Sequence, residues 1–316
     1  MPSCEDTQIR MYLSEKIVHA IARRAGLRQT ATTAYRIVDG GGDDLPGWVI
    51  DDFNGNWLLS LEPSQPMPDL DLTLGYRSLY GKILRNEEKK SPIFLAGEPI
   101  TTRFLIQERG LNFWIDFQAG YSQGIFLDQR LNRQRVRQIS AGRSVLNTFA
   151  YTCAFGVAAA AGGASTVNVD LSRTYLDWGH ENYLANDIDS PQHEFVYGDA
   201  FSWLKRFAKK GRCFDLVILD PPTFSRDRNG RVFRAETHYG ELLELALSVS
   251  TKDGRLLCCT NSHRLPRADF EKILRAKLPR SATIAHSGMP EDFPGSDYLK
   301  SFWIERAGEV SVEFHR

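Results

Sequence analysis

The chain has 316 residues, 42% of them hydrophobic and 25% charged, with Lys+Arg and Asp+Glu both at 39. That length suits two domains, or one with a sizeable appendage, and the neutral balance excludes a broadly basic nucleic-acid binder while leaving room for a local patch. The longest apolar run, FGVAAAAGGA, is too short for a bilayer. The five cysteines (Cys4, Cys153, Cys213, Cys258, Cys259) form no CxxC pair and no metal spacing with histidine. The N-terminus MPSCEDTQIR lacks the apolar segment of a signal peptide. A soluble cytoplasmic protein with reduced thiols, no membrane association and no metal is expected.

Along the chain, YLSEKIVHAIARRAG (12–26) places Leu13, Ile17, Ala20 and Ile21 at helical spacing and predicts a helix ending at Gly26. TAYRIV, GWVIDDF and NWLLSL predict three strands, the last two joined by Asn54-Gly55, a strong hairpin signal. Pro63, Pro66 and Pro68 then interrupt the pattern. A second hairpin is predicted from TRFLIQE and LNFWIDF around Gly110. Residues 1–97 are expected to form a small α+β domain, with 98–316 as a second domain.

From about residue 143 the texture changes. Strands are predicted at SVLNTF, STVNVD, HEFVYG, FDLVILD, GRLLCCT, ATIAHS and SFWIER, with helices at SRTYLDWGHENYLAND, AFSWLKRFAKK, THYGELLELALSVS and RADFEKILRAKL. Apolar strands alternating with amphipathic helices predict a doubly wound, mostly parallel α/β sheet.

Ligands of such sheets bind outside the carboxyl ends of the strands, where the strand order reverses. The first strand ends at Asn147 and the second at Asp170, 23 residues on, the interval at which a carboxylate can take both ribose hydroxyls of a nucleoside cofactor. The third ends in Tyr197-Gly198-Asp199-Ala200, where Asp199 could accept from an adenine amino group. Helix capping by Ser172 or Asp199 would account for either site taken alone. The fourth strand gives FDLVILDPPTF: Asp220 is followed by Pro221 and Pro222, which fix the chain's exit, and by the aromatic Phe224.

These residues resemble class I S-adenosylmethionine-dependent methyltransferases. The blocks GYSQGIFLDQRLNRQRV (120–136), VLNTFAYTCAFGVAAAAGGA (145–164), VDLSRTYLDWGHENYLAND (169–187) and LDPPTFS (219–225) are similar to the bacterial large-subunit (23S) ribosomal RNA methyltransferases, a family with a cytosine-C5 and a guanine-N7 branch. TTAYRIVDGGGDDLPGWVIDDF (32–53) matches that family's small N-terminal domain, and the stretch before it is too short for the PUA domain of some members. The likeness runs from roughly residue 30 to residue 305 and implies a seven-stranded sheet and S-adenosyl-L-methionine as cofactor.

By resemblance, Asp128 and Arg130 frame the methionine end of the cofactor, and Phe126 and Leu127 beside them also contact it. Asn147, Phe149, Tyr151 and Thr152 belong to its loop, in which Cys153 and Ala154 stand where the family carries glycines. Asp170 takes the ribose and Asp199 the adenine, with Leu171, Ser172, Asn182, Gly198 and Ala200 also expected at the cofactor. Asp220, Pro221 and Pro222 line the transfer point.

The cytosine branch needs a cysteine that adds to the ring. Ser262 occupies the matching position in CCTNSHR, and Cys258 and Cys259 read as core residues of the fifth strand, so guanine N7 is favoured. Asp220 and Asn261 are then expected to position the base, Phe224 to stack on it, and His263 lies near enough to contact it. Arg226, Arg228, Arg231 and Arg234, interleaved with Phe224 and Phe233, suit RNA phosphates, and RLNRQRVR (130–137) reads as a helix with one wet basic face. The expected partner is RNA, as 23S rRNA or a ribosomal precursor particle; a homodimer stays open. Two other readings stand beside this one: the same fold acting on a small molecule or protein, and a non-catalytic RNA-binding assembly factor. No GxGxxG follows the first strand, which disfavours a dehydrogenase.

Overall fold

The computed structural model describes residues 4–65, 70, 72–84, 90–226 and 232–306; Pro66, Pro68, Arg228 and Arg231 lie outside them. The chain divides into two compact units: residues up to 131 together with 289–296, and residues 132–288 together with those from 297.

The first unit opens with α1 (Cys4–Arg23) and the short α2 (Ala25–Arg28), so Gly26 sits inside a second helical turn rather than capping the first. A five-stranded sheet follows: β1 (Ala34–Asp39), β2 (Trp48–Phe53), β3 (Asn56–Leu61), β4 (Ser78–Ile83) and β5 (Ile93–Gly97), paired in that order. All neighbours are antiparallel except β3 and β4. Asn54 and Gly55 both adopt left-handed backbone (φ 59° and 83°), which joins β2 to β3 by the tight turn their identities predict. Ile17 and Ala20 of α1 are buried with Tyr35, Ile37, Trp48, Ile50, Trp57 and Leu59 of the sheet, which is why the helix carries its apolar residues at that spacing.

The hairpin of β6 (Phe104–Glu108) and β7 (Leu111–Ile115) belongs to this unit, which moves the boundary expected at 97/98 to 131/132. Long-range contacts decide this. The Thr33 N–H donates to the Gln107 carbonyl at 2.8 Å, and the Arg109 N–H donates to Thr32 Oγ1 at 3.2 Å. Phe117, just beyond the hairpin, stacks edge-on against Phe53 and Tyr80.

Asp52 on β2 is buried, and burial pushes its carboxyl up to about 6, against the pull of the Gly55 N–H and of Arg28. A carboxyl raised above its unfolded value favours the protonated native state, so this contribution is present in acid and is lost as pH rises through 6. Between pH 4.5 and 7 it should cost about 2 kcal/mol. Asp52→Asn keeps an acceptor for the Gly55 N–H and should remove that slope. Urea unfolding of both proteins at the two pH values measures it, and parallel pH dependences would refute the assignment.

The second unit contains most of α3 (Arg130–Ile139), whose first turn holds the unit boundary, and a seven-stranded sheet. Its strands are β8 (Ser144–Thr148), β9 (Ser165–Asp170), β10 (His193–Tyr197), β11 (Phe214–Leu219), β14 (Ser250–Thr260), β15 (Thr283–Ser287) and β16 (Lys300–Glu305). The small hairpin of β12 (Phe224–Arg226) and β13 (Val232–Arg234) follows β11. Sheet order is β10-β9-β8-β11-β14-β16-β15, with only β16 antiparallel to its neighbours.

Between the strands run α4 (Ala154–Ala161), α5 (Arg173–Leu184), α6 (Ala200–Lys209), α7 (Ala235–Ser248) and α8 (Arg267–Arg275). Helices α4 and α5 pack on each other, and α7 packs against both α6 and α8. A central strand covered on both faces must be apolar where it is covered, and β11 is so beyond Asp215: Leu216, Val217, Ile218 and Leu219 are all fully buried. The order reverses between β8 and β11, so their carboxyl ends open the crevice where a ligand belongs.

Candidate active site

The loop leaving β8 is the most strained part of this unit. Phe149, Tyr151 and Cys153 all hold left-handed backbone (φ 54°, 50° and 59°), a conformation costing about 1–2 kcal/mol for a residue with a Cβ. Hydrogen bonds from three directions offset the strain. The Tyr151 N–H donates to Asp170 Oδ2 (2.8 Å), Asn182 Nδ2 donates to the Thr152 carbonyl (2.9 Å), and the Cys153 N–H donates to the Ala150 carbonyl (2.7 Å). Backbone held this way against its preference is a mark of a functional loop.

Cys153 thus keeps the backbone geometry that a glycine would adopt freely. Its thiol is fully buried and turned into α5, where Gly179 makes room for it: a Cβ on Gly179 would lie 2.9 Å from Cys153 Cβ and closer still to its Sγ. Burial, with Asp170 nearby, pushes that thiol's pKa well up, so it is an inert packing group. A side chain is accommodated at this left-handed position because it points into the packing against α5.

At the next strand end, Asp170 accepts from the backbone N–H groups of Tyr151 and Ser172, both at 2.8 Å. Burial pushes its carboxyl up, while those bonds and one from Leu171 pull it down. These donors do not exhaust the carboxylate's four lone-pair sites, so acceptor capacity remains for ribose hydroxyls. Ser172 caps α5 by accepting from the Tyr175 N–H at 3.3 Å, and Asp199 caps α6 through Oδ2, accepting from the Ser202 N–H at 2.8 Å. The capping reading is therefore correct for both residues, but each cap occupies only part of the side chain. The Gly198 N–H donates to the Asp170 carbonyl at 2.9 Å, which draws the ends of β9 and β10 together. Two acceptor carboxylates on neighbouring strand ends, beside a loop bent by left-handed residues, fit a nucleoside cofactor's hydroxyl pair and amino group.

Three residues expected to touch the cofactor are buried and bonded within the protein. Asn147 is buried and donates to Asn168 Oδ1 (3.0 Å); Thr152 and Asn182 are fully buried and tie the loop to α5. Ala200 is buried at the start of α6. Tyr151 stacks edge-on against Tyr175, with centroids 4.6 Å apart.

Phe126, Leu127, Asp128 and Arg130 belong to the first unit. Phe126 is 48% exposed and Leu127 is buried. Arg130 is fully buried and paired with Asp292 through both Nη atoms, so it anchors its own unit instead of presenting its guanidinium to a ligand. The wet basic face expected of α3 is met only in part: Arg137 is exposed, but Arg133 is buried over the Phe155 ring and Arg135 lies half-buried over Trp303. A basic run at helical spacing does not reveal that aromatic rings from α4 and β16 will cover part of it.

At the end of β11, Pro221 is buried while Pro222, Thr223 and Phe224 face outward, Phe224 being 53% exposed. A cleft of about 420 Å³ opens here between Phe224, Arg234, Glu236, Ser262, His263 and Arg264. Asn261 is exposed next to it in sequence. Phe233, read from the sequence as a stacking surface, is instead buried against Phe149 and Phe201, because β13 turns it inward. Arg226 lies on β12 and Arg234 is exposed at the start of α7. Cys258 and Cys259 are fully buried in β14: burial pushes the Cys258 thiol up to about 12, and Cys259 donates to Ser301 Oγ. Glu236 was not legible as a site residue, since an acidic residue in a first helical turn reads only as a favourable dipole contact.

Comparison with known proteins agrees with this geometry. The family described as S-adenosylmethionine-dependent methyltransferase matches residues 78–300. YwbD of Bacillus subtilis (strain 168) is 32% identical over 93% of this chain and 80% of its own length. Ribosomal RNA large subunit methyltransferase I of Aeromonas salmonicida (strain A449) is 31% identical over 78% of this chain, which spans 66% of that relative. The crystal structure of SMU.776 complexed with SAH superposes with a TM-score of 0.83 at 28% identity, covering 93% of this chain and 81% of that one. With the strand order, the two acidic strand ends and these matches in agreement, the chain belongs to the S-adenosylmethionine-dependent methyltransferases.

Proposed function

We propose that this methyltransferase acts on RNA of the large ribosomal subunit and transfers its methyl group to N7 of a guanine. The relatives named for ribosomal RNA support the substrate class, and the exposed Phe224 beside Arg234, His263 and Arg264 suits an extruded base with its phosphates nearby. The observation that carries the choice of atom is the placement of the thiols. Cytosine C5 needs a cysteine nucleophile at the base. Cys153, Cys258 and Cys259 are buried, Cys213 precedes β11 at the strand's other end, and Ser262 lines the cleft.

When bound, the cofactor supplies an electrophilic methyl group on a sulfonium. Guanine N7 carries a free lone pair: it forms the new bond to the methyl carbon as the carbon–sulfur bond breaks, and the ring takes the positive charge without releasing a proton. No general base is required, and the protein's work is positioning and electrostatics. Pro221 and Pro222 hold Asp220 rigidly at the end of β11, and Phe224 offers a face to the ring.

The test is to methylate large-subunit RNA with labelled S-adenosylmethionine and analyse the nucleosides. 7-Methylguanosine is expected; 5-methylcytidine would overturn the reading. A Cys258→Ala/Cys259→Ala double variant should keep kcat within about 3-fold of wild type, since neither thiol faces the cleft, and complete loss of activity in a folded variant would restore the cytosine mechanism.

A further inference from the structure

We propose that Glu236 recognises the guanine ring, its carboxylate accepting from N1–H and from the N2 amino group. The inference rests on the guanine reading above and adds the residue that would select that base.

Glu236 stands in the first turn of α7, in the wall of the 420 Å³ cleft that the exposed Phe224 also lines. Ser262 Oγ donates to its Oε1 at 2.5 Å. Ser262 is itself fixed: its N–H donates to Thr260 Oγ1 at 3.2 Å, and its carbonyl accepts from Lys300 Nζ at 2.8 Å. One carboxylate oxygen is thereby oriented by a buried serine, and the carboxylate keeps acceptor capacity for a ligand. The Ser262 bond, helped by the residue's own backbone N–H and then by Arg264 and Arg234, holds the Glu236 carboxyl below the usual range, so the group is ionised and can only accept. A bare dipole contact at a helix start would need neither the serine nor the cleft.

An acceptor-only carboxylate chooses among bases by their edges. Guanine presents two parallel donors, N1–H and the N2 amino group, which match a carboxylate held in plane. Adenine presents a ring acceptor beside its amino group, and cytosine presents two acceptors beside one amino group, so each would set a lone pair against the charge. N7 lies on the far side of the purine from the N1/N2 edge, so a guanine gripped by Glu236 directs N7 away from it. As N7 is methylated the ring becomes cationic, and the bonds to Glu236 strengthen in the transition state. Glu236 should therefore affect kcat as well as KM.

The experiment compares wild type with Glu236→Gln, in which the side-chain carbonyl can still accept from Ser262. The substrates are RNA carrying guanosine at the mapped position and the same RNA carrying inosine, which lacks the N2 amino group. Wild type is expected to prefer guanosine by about 10-fold or more in kcat/KM, the size of one hydrogen bond to a charged group. Glu236→Gln should lower kcat and bring that preference to within about 2-fold, with cofactor affinity and thermal midpoint unchanged. A variant that keeps the wild-type preference would overturn the assignment while leaving the guanine reading intact. Wild type that forms no 7-methylguanosine would overturn both.

Discussion

Asp170→Ala should raise the dissociation constant for S-adenosylmethionine by about 100-fold or more. Two hydrogen bonds from ribose hydroxyls to a charged carboxylate are worth about 3 kcal/mol together at the low end. The substitution also removes the acceptor for the N–H groups of Tyr151 and Ser172, so the left-handed loop of Phe149, Tyr151 and Cys153 loses one of the bonds that hold it. Asp170→Asn separates the two effects. Its carbonyl oxygen can keep one of the backbone donors, so the loop should persist, while one acceptor for the ribose is lost and affinity falls by an intermediate amount. Calorimetric titration with circular dichroism as the folding control reads both. Wild-type affinity in a folded Asp170→Ala protein would show that the end of β9 does not hold the ribose.

Asp292→Ala should be the most destabilising single change in the first unit, at about 3–5 kcal/mol, the usual cost of removing one partner from a buried ion pair. Both Asp292 and Arg130 are fully buried. The Asp292 carboxylate also accepts from the Arg36 N–H at 2.9 Å, and its carbonyl accepts from Arg24 Nη2 at 3.1 Å. Arg24 in turn makes two bonds to Asp43, at 2.5 and 2.6 Å. Removal of Asp292 therefore leaves the buried guanidinium with only the more distant, exposed Glu291, at 3.7 Å, as an ion-pair partner. The double variant Arg130→Met/Asp292→Leu removes both charges and should recover much of the loss. Urea unfolding of the two single variants and the double variant gives the coupling, and additive losses would show that the pair is not the unit of stability.

Local pattern was sufficient for much of the architecture. The Asn54-Gly55 turn, the apolar run of β11 and the alternation of strands and helices after residue 143 each follow from backbone preference and periodicity, which act over a few residues. Strand ends are legible for the same reason: Asp170, Asp199 and Asp220 stand where an apolar run stops, and the fold places all three at carboxyl ends of the second unit's sheet. Cys258 and Cys259 read as core because they continue the apolar pattern of their strand.

What local pattern could not supply was partners. Arg130 reads as a ligand-facing cation until Asp292, 162 residues away, is brought to it. Asn147 and Asn182 read as site residues because side-chain amides look alike whether they face a ligand or another amide. The boundary at 131/132 and the return of 289–296 to the first unit depend on contacts between segments far apart in the chain. Cys153 reads as a damaged glycine site until Gly179 is seen to admit its thiol. Glu236 becomes a candidate only when the fold sets Ser262 against it, 26 residues on. In this protein the sequence determined the kind and order of the elements and which strand ends are acidic, because those are short-range properties. The tertiary structure alone decided which charges are buried against each other and which face a cleft, because burial and pairing are properties of two distant segments together.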